Sequence, residues 1–261
     1  MKSFAVTDIG QKRTVNQDYV FCSEEPVGKL SNLFVVADGM GGHNAGDTAS
    51  RLCVGSVRES ISNSELDTPV SILNEAVAFA HDRVRSEAAA KPEFEGMGTT
   101  LVIATIQDNK LYVANVGDSR LYLLRDSLEQ ITEDHSLVEE MVKSGELSKE
   151  NVKEHPNKNI ITRALGIGET VMADTFEVEL KEDDIILMCS DGLTNMVTDD
   201  EISDILKCTF SLKEKAEKLV QMANDAGGTD NISVVLVKLP EDIISVSETD
   251  SDTEEIEMRG L

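Results

Sequence analysis

The residues best suited to chemistry are six aspartates that stand at strand ends or in tight polar turns. The set is Asp8, Asp18, Asp38, Asp118, Asp191 and Asp230. One such aspartate is usually a turn residue or a helix cap. Here, however, two apolar segments that read as buried strands end in Asp-Gly or Ser-Asp-Gly, and a Gly-Gly-Thr-Asp-Asn turn precedes a third. If these strands stack, their ends converge and the carboxylates point into one small volume.

Such a cluster needs compensating positive charge, because like charges in contact repel strongly. Divalent cations supply it, and an all-oxygen ligand set with no Cys and little His favours Mg²⁺ or Mn²⁺ over Zn²⁺. A carboxylate that bridges two ions about 3.5–4 Å apart can hold an activated water for in-line attack on phosphorus. Arg13, five residues before Asp18, is then the natural phosphate clamp, since a guanidinium matches phosphate oxygens in bidentate fashion.

Composition narrows the class of protein. With 24 basic and 49 acidic residues, the chain carries a formal charge of −25, which argues against nucleic acid and an anionic membrane surface as partners. No apolar run approaches the roughly 18 residues of a membrane span, and the N-terminal residues lack the apolar core of a signal peptide. The four cysteines are widely spaced, so we expect no disulfide and no zinc site. These features predict a cytoplasmic protein.

The elements that must position the aspartates alternate between strand and helix patterns. Predicted strands cover residues 2–7, 19–22, 33–37, 100–106, 110–116, 120–124, 184–189 and 232–238. Predicted helices cover residues 45–61, 69 to about 90, 136–144, 199–208 and 211–226. The strands between residues 100 and 124 are closely connected, which predicts an antiparallel meander. Residues 241–261 hold eight acidic residues, one arginine and five Ser or Thr, which predicts a disordered tail.

Six motifs occur in order along the chain. They are Asp8-Ile9-Gly10-x-x-Arg13-x-x-Asn16-Gln17-Asp18, Val36-Ala37-Asp38-Gly39-Met40-Gly41-Gly42, Gly98-Thr99-Thr100, Asn115-Val116-Gly117-Asp118-Ser119-Arg120, Cys189-Ser190-Asp191-Gly192-Leu193 and Thr229-Asp230-Asn231-Ile232-Ser233. In these motifs the chain resembles the metal-dependent protein phosphatases (the PPM family, type 2C) in their compact bacterial form. The resemblance runs from residue 8 to residue 233, nearly the whole length outside the tail.

The resemblance implies an α+β fold, in which two antiparallel β-sheets pack face to face with helices on both outer faces (an α-β-β-α sandwich). It implies a catalytic domain at residues 1–240, with a variable flap at about 136–168 that is the candidate for substrate selection. The implied activity is hydrolysis of phosphoserine and phosphothreonine on proteins, using Mn²⁺ or Mg²⁺. The implied partners are phosphoproteins and an opposing bacterial-type Ser/Thr kinase, and we expect a monomer.

Roles for individual residues also follow from the resemblance. Asp38 would bridge two metal ions, with the Gly39 carbonyl on one of them. Asp191 and Asp230 would hold the other ion. Asp18 would bind or orient water on the metal.

Two further roles and two departures complete the implied site. Arg13 would hold the substrate phosphate, and Asp118 would help to form a third, weaker metal site. Position 17 is Gln where some members have Glu, and Met40 stands where many eukaryotic members have a general-acid histidine. His43, three residues later, is a candidate to approach the leaving oxygen.

Other chemistries fit the sequence poorly. No cysteine is followed six residues later by arginine, as a cysteine phosphatase requires, and there is no P-loop and no nucleophile elbow. A calcium-binding protein fails for lack of a looped Asp-x-Asp-x-Asp-Gly run. A non-catalytic family member that serves as a binding module remains the alternative, and binding of phosphoprotein without turnover would distinguish it.

Overall fold

The computed structural model describes residues 1–42, 45–148, 151–152 and 155–239. The strands are β1 (Lys2–Asp8), β2 (Asp18–Ser23), β3 (Leu33–Met40), β4 (Gly98–Thr99), β5 (Leu101–Gln107), β6 (Lys110–Val116), β7 (Arg120–Leu124), β8 (Leu128–Gln130), β9 (Asp174–Glu179), β10 (Ile185–Cys189) and β11 (Ile232–Lys238). The helices are α1 (Ala45–Asn63), α2 (Pro69–Ala90), α3 (Leu137–Lys143), α4 (Asp191–Thr194), α5 (Asp199–Lys207) and α6 (Leu212–Asp225), with a 3₁₀ turn at Pro92–Phe94.

The strands form two sheets. The first has the order β1-β11-β10-β7-β8, and the second has the order β2-β3-β5-β6-β9 with β4 beside β3. The pairings are antiparallel throughout these two sheets. Helices α1 and α2 pack on the second sheet, and α5 and α6 lie on the side of the first. This architecture confirms the predicted α-β-β-α sandwich.

The central strands are apolar on both faces because both faces are covered. In β3, Phe34 and Val36 pack against the other sheet, whereas Val35 and Ala37 pack against α1 and α2. Strand β11 follows the same rule, since its side chains alternate between the space between the sheets and the face covered by α6. Unbroken apolar runs therefore mark the buried strands, whose ends carry the aspartates.

Local capping fixes several helix ends where the sequence predicts them. The Thr68 side chain accepts a hydrogen bond from the Ser71 amide at 3.3 Å, and α2 begins at Pro69 as expected. Ser136 caps α3 in the same way. Capping boxes at Thr198 and Ser211 begin α5 and α6.

One prediction about the strands is wrong, and three strands were missed. β5 and β6 pair as the meander requires, but β7 crosses to the first sheet and pairs with β10. The crossing occurs at Gly117, whose φ of 109° and tight packing against Thr100 let the chain leave the second sheet. Strands β4, β8 and β9 were not predicted. β9 alternates half-buried and exposed residues at a sheet edge, and its acidic side chains obscure the strand pattern.

Two earlier predictions lie outside the described residues: the disordered tail at 241–261 and the role of His43. Across the described ranges, no helix has the length and apolar character needed to span a membrane.

Candidate metal centre

Five of the six aspartates lie where the ends of the two sheets meet, whereas Asp8 accepts hydrogen bonds from the Gly10 amide and the Asn224 side chain. Asp18 begins β2 and is paired in register with Asp38 near the end of β3. Asp191 follows β10 and begins α4, and Asp230 lies two residues before β11. Asp118 lies in the turn where the chain passes between the sheets. Burial is the main cause of a raised pKa for Asp38, and the charges of the other four raise it further, so all five form one electrostatic cluster.

The turn that carries Asp191 interlocks with the turn before β11. A Cβ on Gly192 would collide with the backbone carbonyl of Asn231, so only glycine permits this approach. The buried Asn231 side chain accepts a hydrogen bond from the Gln17 amide at 2.8 Å and donates to the carbonyls of Ile9 and Val15 at 2.9 and 3.1 Å. Asn231 therefore holds the loop between β1 and β2 against the turn before β11.

The backbone around Asp38 is fixed by two threonines. Thr99 donates its hydroxyl to the Asp38 carbonyl at 2.9 Å, and the Asp38 amide donates to the Thr100 hydroxyl at 3.0 Å. On the next residue, a Cβ at Gly39 would collide with the carbonyl of Gly46 in α1. The start of α1 thus packs directly on the strand that presents the carboxylate.

Asp18 is held by a serine that sequence reasoning did not assign to the site. The Ser190 hydroxyl donates to Asp18 Oδ2 at 2.7 Å and accepts from the Ser233 amide at 3.0 Å. Ser190 and Ser233 are both fully buried, and each flanks a predicted ligand or motif residue in sequence. Both serines occur in the Ser-Asp-Gly and Asn-Ile-Ser motifs, and this is the sequence signal that could have assigned them to the site.

The electrostatics of the cluster favour a bound cation. Burial raises the pKa of Asp18 to about 7 and that of Asp118 to about 8, and neighbouring Asp191 adds to both shifts. Burial, with repulsion from Asp230, raises the pKa of Asp191 to about 6. Each shift reports the cost of placing negative charge in this site without compensation, and a divalent ion removes that cost.

Two buried carboxylate oxygens show where a cation fits. Asp18 Oδ1 and Asp191 Oδ1 have no hydrogen-bond partner, although the other oxygen of each bonds to Ser190 or Asn195. Within the described residues, no three His, Cys, Asp or Glu side chains are already grouped as a metal site. The unpartnered oxygens and the all-oxygen donor set fit a hard divalent ion.

Arg13 lies at the rim of the cluster. Its Nη2 is 2.7 Å from Asp230 Oδ2, and about half of its side chain is exposed. A guanidinium in this place can reach a phosphate that enters from solvent. His43, the candidate general acid, lies outside the described residues.

The turn that carries Asp118 is secured by a histidine that was not predicted. The Gly117 amide donates to His135 Nδ1 at 3.0 Å, and the His135 amide donates to the Gly117 carbonyl at 2.9 Å. His135 Nε2 is 3.1 Å from Asp174 Oδ2, and Arg163 donates to the other oxygen of Asp174 at 2.9 Å. A hydrogen-bond network that starts from the buried His135 therefore links this turn to β9 and to the predicted flap.

The predicted flap borders a cavity of about 220 Å³ beside the carboxylates. Asp118 and Asp191 line one side of the cavity, and Lys158 is among the flap residues that line it as well. Leu165 pairs with Thr99 through two backbone hydrogen bonds of 2.9 and 3.1 Å. The end of the flap is thus joined to Thr99 in β4, which pairs with Gly39 of β3 next to Asp38.

The chain is similar to known proteins in both sequence and structure. The family model described as protein phosphatase 2C matches residues 10–236. The serine/threonine phosphatase stp of Listeria welshimeri is 43% identical over 242 residues, which are 89% of this chain and 93% of the relative. A Streptococcus agalactiae serine/threonine phosphatase structure superposes with a TM-score of 0.85 at 35% identity, covering 92% of this chain and 99% of that one. The catalytic domain of PstP, solved with two manganese ions, gives a TM-score of 0.80 at 33% identity over 90% and 96% of the two chains.

Proposed function

This chain belongs to the protein phosphatase 2C family, and we propose that it hydrolyses phosphoserine and phosphothreonine on proteins with a two-ion metal centre. It is a metal-dependent serine/threonine protein phosphatase of the bacterial type. The observation that supports the two-ion centre best is the buried carboxylate cluster with its unpartnered oxygens on Asp18 and Asp191. The two manganese ions of the PstP structure support the same proposal.

The proposed ligands come from both sheets. Asp38 would lie between the two ions and the Gly39 carbonyl would contribute to one of them, while Asp191 and Asp230 would hold the other. When bound, the ions supply positive charge and activate a water for in-line attack on phosphorus. Asp18 would orient that water through Oδ1, which has no hydrogen-bond partner, because Ser190 already donates to Oδ2.

Arg13 is the proposed substrate clamp. Its ion pair with Asp230 is half-exposed, and exposed pairs contribute little stability, so a phosphate dianion can replace the carboxylate as its partner. Turning Arg13 onto the phosphate leaves Asp230 available as a ligand. Substrate binding and completion of the ligand set are then coupled through one arginine.

Substrate selection is assigned to the flap, and a third metal site is assigned to Asp118. Asp118 is buried among like charges, and its carboxylate together with that of Asp191 is the proposed third, weaker site. The flap at residues 136–168 borders the cavity beside these two aspartates and is proposed to select protein substrates. Mn²⁺ or Mg²⁺ is the proposed ion.

The wider setting is also proposed. Residues 1–240 form the catalytic domain and residues 241–261 a separate acidic tail. The chain works as a monomer in the cytoplasm and opposes a Ser/Thr kinase. The wide spacing of its four cysteines in the sequence supports a reducing compartment.

The test is phosphate release from p-nitrophenyl phosphate and from phosphoserine and phosphothreonine peptides. We expect release with Mn²⁺ or Mg²⁺ and none with excess chelator. Asp38→Ala and Asp191→Ala should each remove activity, whereas Asp67→Ala, at an exposed aspartate paired with Lys29, should not. Full activity of the two cluster variants, or activity in excess chelator, would refute the proposal. Stoichiometric phosphoprotein binding without turnover would favour the non-catalytic alternative.

A further inference from the structure

The end of the molecule opposite the carboxylate cluster carries a second large concavity. It is a groove of about 810 Å³ between the start of β1, the end of β11 and the turn that joins α5 to α6. Lys2 pairs in register with Lys238 at this end, whereas Asp8 pairs with Ile232 at the end near the carboxylates. At about 3.3 Å per residue, the groove lies roughly 20 Å from the metal centre along the sheet.

The groove is basic in a chain that is strongly acidic. Lys2, Lys213, Lys215 and Lys238 line it, and Glu24 is the one acidic residue among the described lining residues. The whole chain carries −25. This local reversal of sign is the reason to expect an anionic partner here.

The lysines of this groove are only partly neutralised. Among the described residues, neither Lys2 nor Lys215 forms an ion pair; the buried Lys215 ammonium instead donates to the Leu206 carbonyl at 2.6 Å. Burial, and then the charge of Lys238, lower the pKa of Lys215, so these two ammonium groups repel each other. Lys238 itself pairs with the exposed Asp183 at 3.0 Å. Added anionic groups would relieve the remaining repulsion.

The groove also has an apolar part. Phe210, in the turn between α5 and α6, lines it and is 49% exposed, which makes it one of the few large apolar side chains left open to solvent among the described residues. Phe4 and Leu212 line the groove too. A partner that combines acidic and aliphatic side chains would fit this surface.

The chain itself supplies such a segment. Leu239 lines the groove, and residues 240–261 follow it directly. The segment holds eight acidic residues against one arginine, and it carries two adjacent isoleucines, Ile243 and Ile244. These isoleucines are within about 13–17 Å of Leu239 even when the chain is extended. We propose that residues 240–261 dock in this groove, with acidic side chains on the lysines and the isoleucines against Phe210.

Zero-length carbodiimide cross-linking of the full chain tests the proposal directly, because it joins a carboxylate only to an amine that it contacts. We expect mass spectrometry of the monomer band to show cross-links from residues 241–257 to Lys2, Lys213 or Lys238, and we expect high salt to remove them. Cross-links spread evenly over surface lysines such as Lys218 would overturn the proposal. Cross-links confined to a dimer band would also overturn it and would identify a second copy as the occupant.

Alkylation of Cys208 gives a second, independent measurement. This exposed thiol lines the groove, whereas Cys53 and Cys189 are buried. In full-length chains, Lys2→Glu combined with Lys213→Glu should raise its alkylation rate roughly threefold or more by releasing the segment.

The direction of that change is diagnostic. Reversing nearby lysine charges disfavours the Cys208 thiolate and so, by itself, slows alkylation. Only removal of a covering segment speeds it. The matched control is Lys218→Glu, because Lys218 is also exposed on α6 but does not line the groove. An unchanged or slower rate in the groove variant, or an equal rise in the control, would overturn the proposal, and no readout depends on phosphatase activity.

Discussion

Replacing Gly192 by alanine tests whether the two interlocked turns position the metal ligands. The new Cβ would lie about 1 Å inside the 3.0 Å limit that Cβ atoms keep from other heavy atoms, facing the Asn231 carbonyl oxygen. It would also lie 2.9 Å from the carbonyl carbon of the same residue. Both atoms belong to backbone that Asn231 ties to the loop before β2, so neither can move alone.

The turns that carry Asp191 and Asp230 must therefore separate by about 1 Å. A displacement of that size in an active site can cost roughly 100-fold in rate, or about 2.7 kcal/mol of transition-state stabilisation. The overpacking itself should lower the free energy of unfolding by about 1–3 kcal/mol. The activity loss is thus expected to exceed what partial unfolding explains.

The assay is the Mn²⁺ dependence of p-nitrophenyl phosphate hydrolysis, with urea unfolding of the same samples. Gly55→Ala is the matched control, since Gly55 is an exposed glycine within α1 with open space around its Cβ position. This control should keep full activity and gain about 0.5–1 kcal/mol of stability. A Gly192→Ala chain with normal kcat/KM and normal Mn²⁺ half-saturation would refute the positioning argument.

Three other predictions concern buried polar groups in and around the site. Ser190→Ala removes the hydroxyl that bonds to a buried carboxylate and should lower the unfolding free energy by about 2–4 kcal/mol in urea titrations. The control Ser56→Ala removes a buried hydroxyl that has no hydrogen-bond partner, so it should not lower the free energy of unfolding by this amount. Equal losses in the two variants would contradict the role given to the Ser190 hydrogen bond. Asp38→Asn should stabilise the chelated protein by about 1–4 kcal/mol, because a buried charge is removed, yet abolish the rise in Tm with Mn²⁺. His81 accepts a hydrogen bond from the Gly166 amide, and burial lowers the pKa of its imidazole below 6.5. The neutral His81 therefore stabilises the fold above pH 6.5, and this stabilisation is lost as pH falls through the folded-state pKa. His81→Asn keeps an acceptor and should show less acid sensitivity in unfolding measurements between about pH 7 and pH 5; an unchanged profile would contradict this assignment.

Much of the fold was predictable because its signals are local. Apolar runs identified β3, β5, β6, β10 and β11, and capping residues such as Thr68 and Ser136 fixed helix ends. The edge strand β9 was missed because its half-exposed alternation resembles a polar loop. The sequence predicted β7 in the same sheet as β5 and β6, but it pairs with β10 in the other sheet. Nearness in sequence does not specify which strand will be the partner.

The same division applies to the candidate site. The aspartates and Arg13 could be selected from the sequence, since residue type and strand-end context are visible there. The hydrogen bonds of Ser190, Asn231 and His135 could not, because each joins segments that are distant or unpatterned in the chain.

The sequence by itself determined the types of most elements, the carboxylate set and the family motifs, because these depend on side-chain chemistry and short-range spacing. Tertiary structure alone decided that Arg13 pairs with Asp230 and that the chain crosses between the sheets at Gly117 before β7. It also gathered four lysines from both ends of the chain and from α6 into one groove. The physical reason is that strand register and sheet packing bring together residues whose separation along the chain carries no local signal.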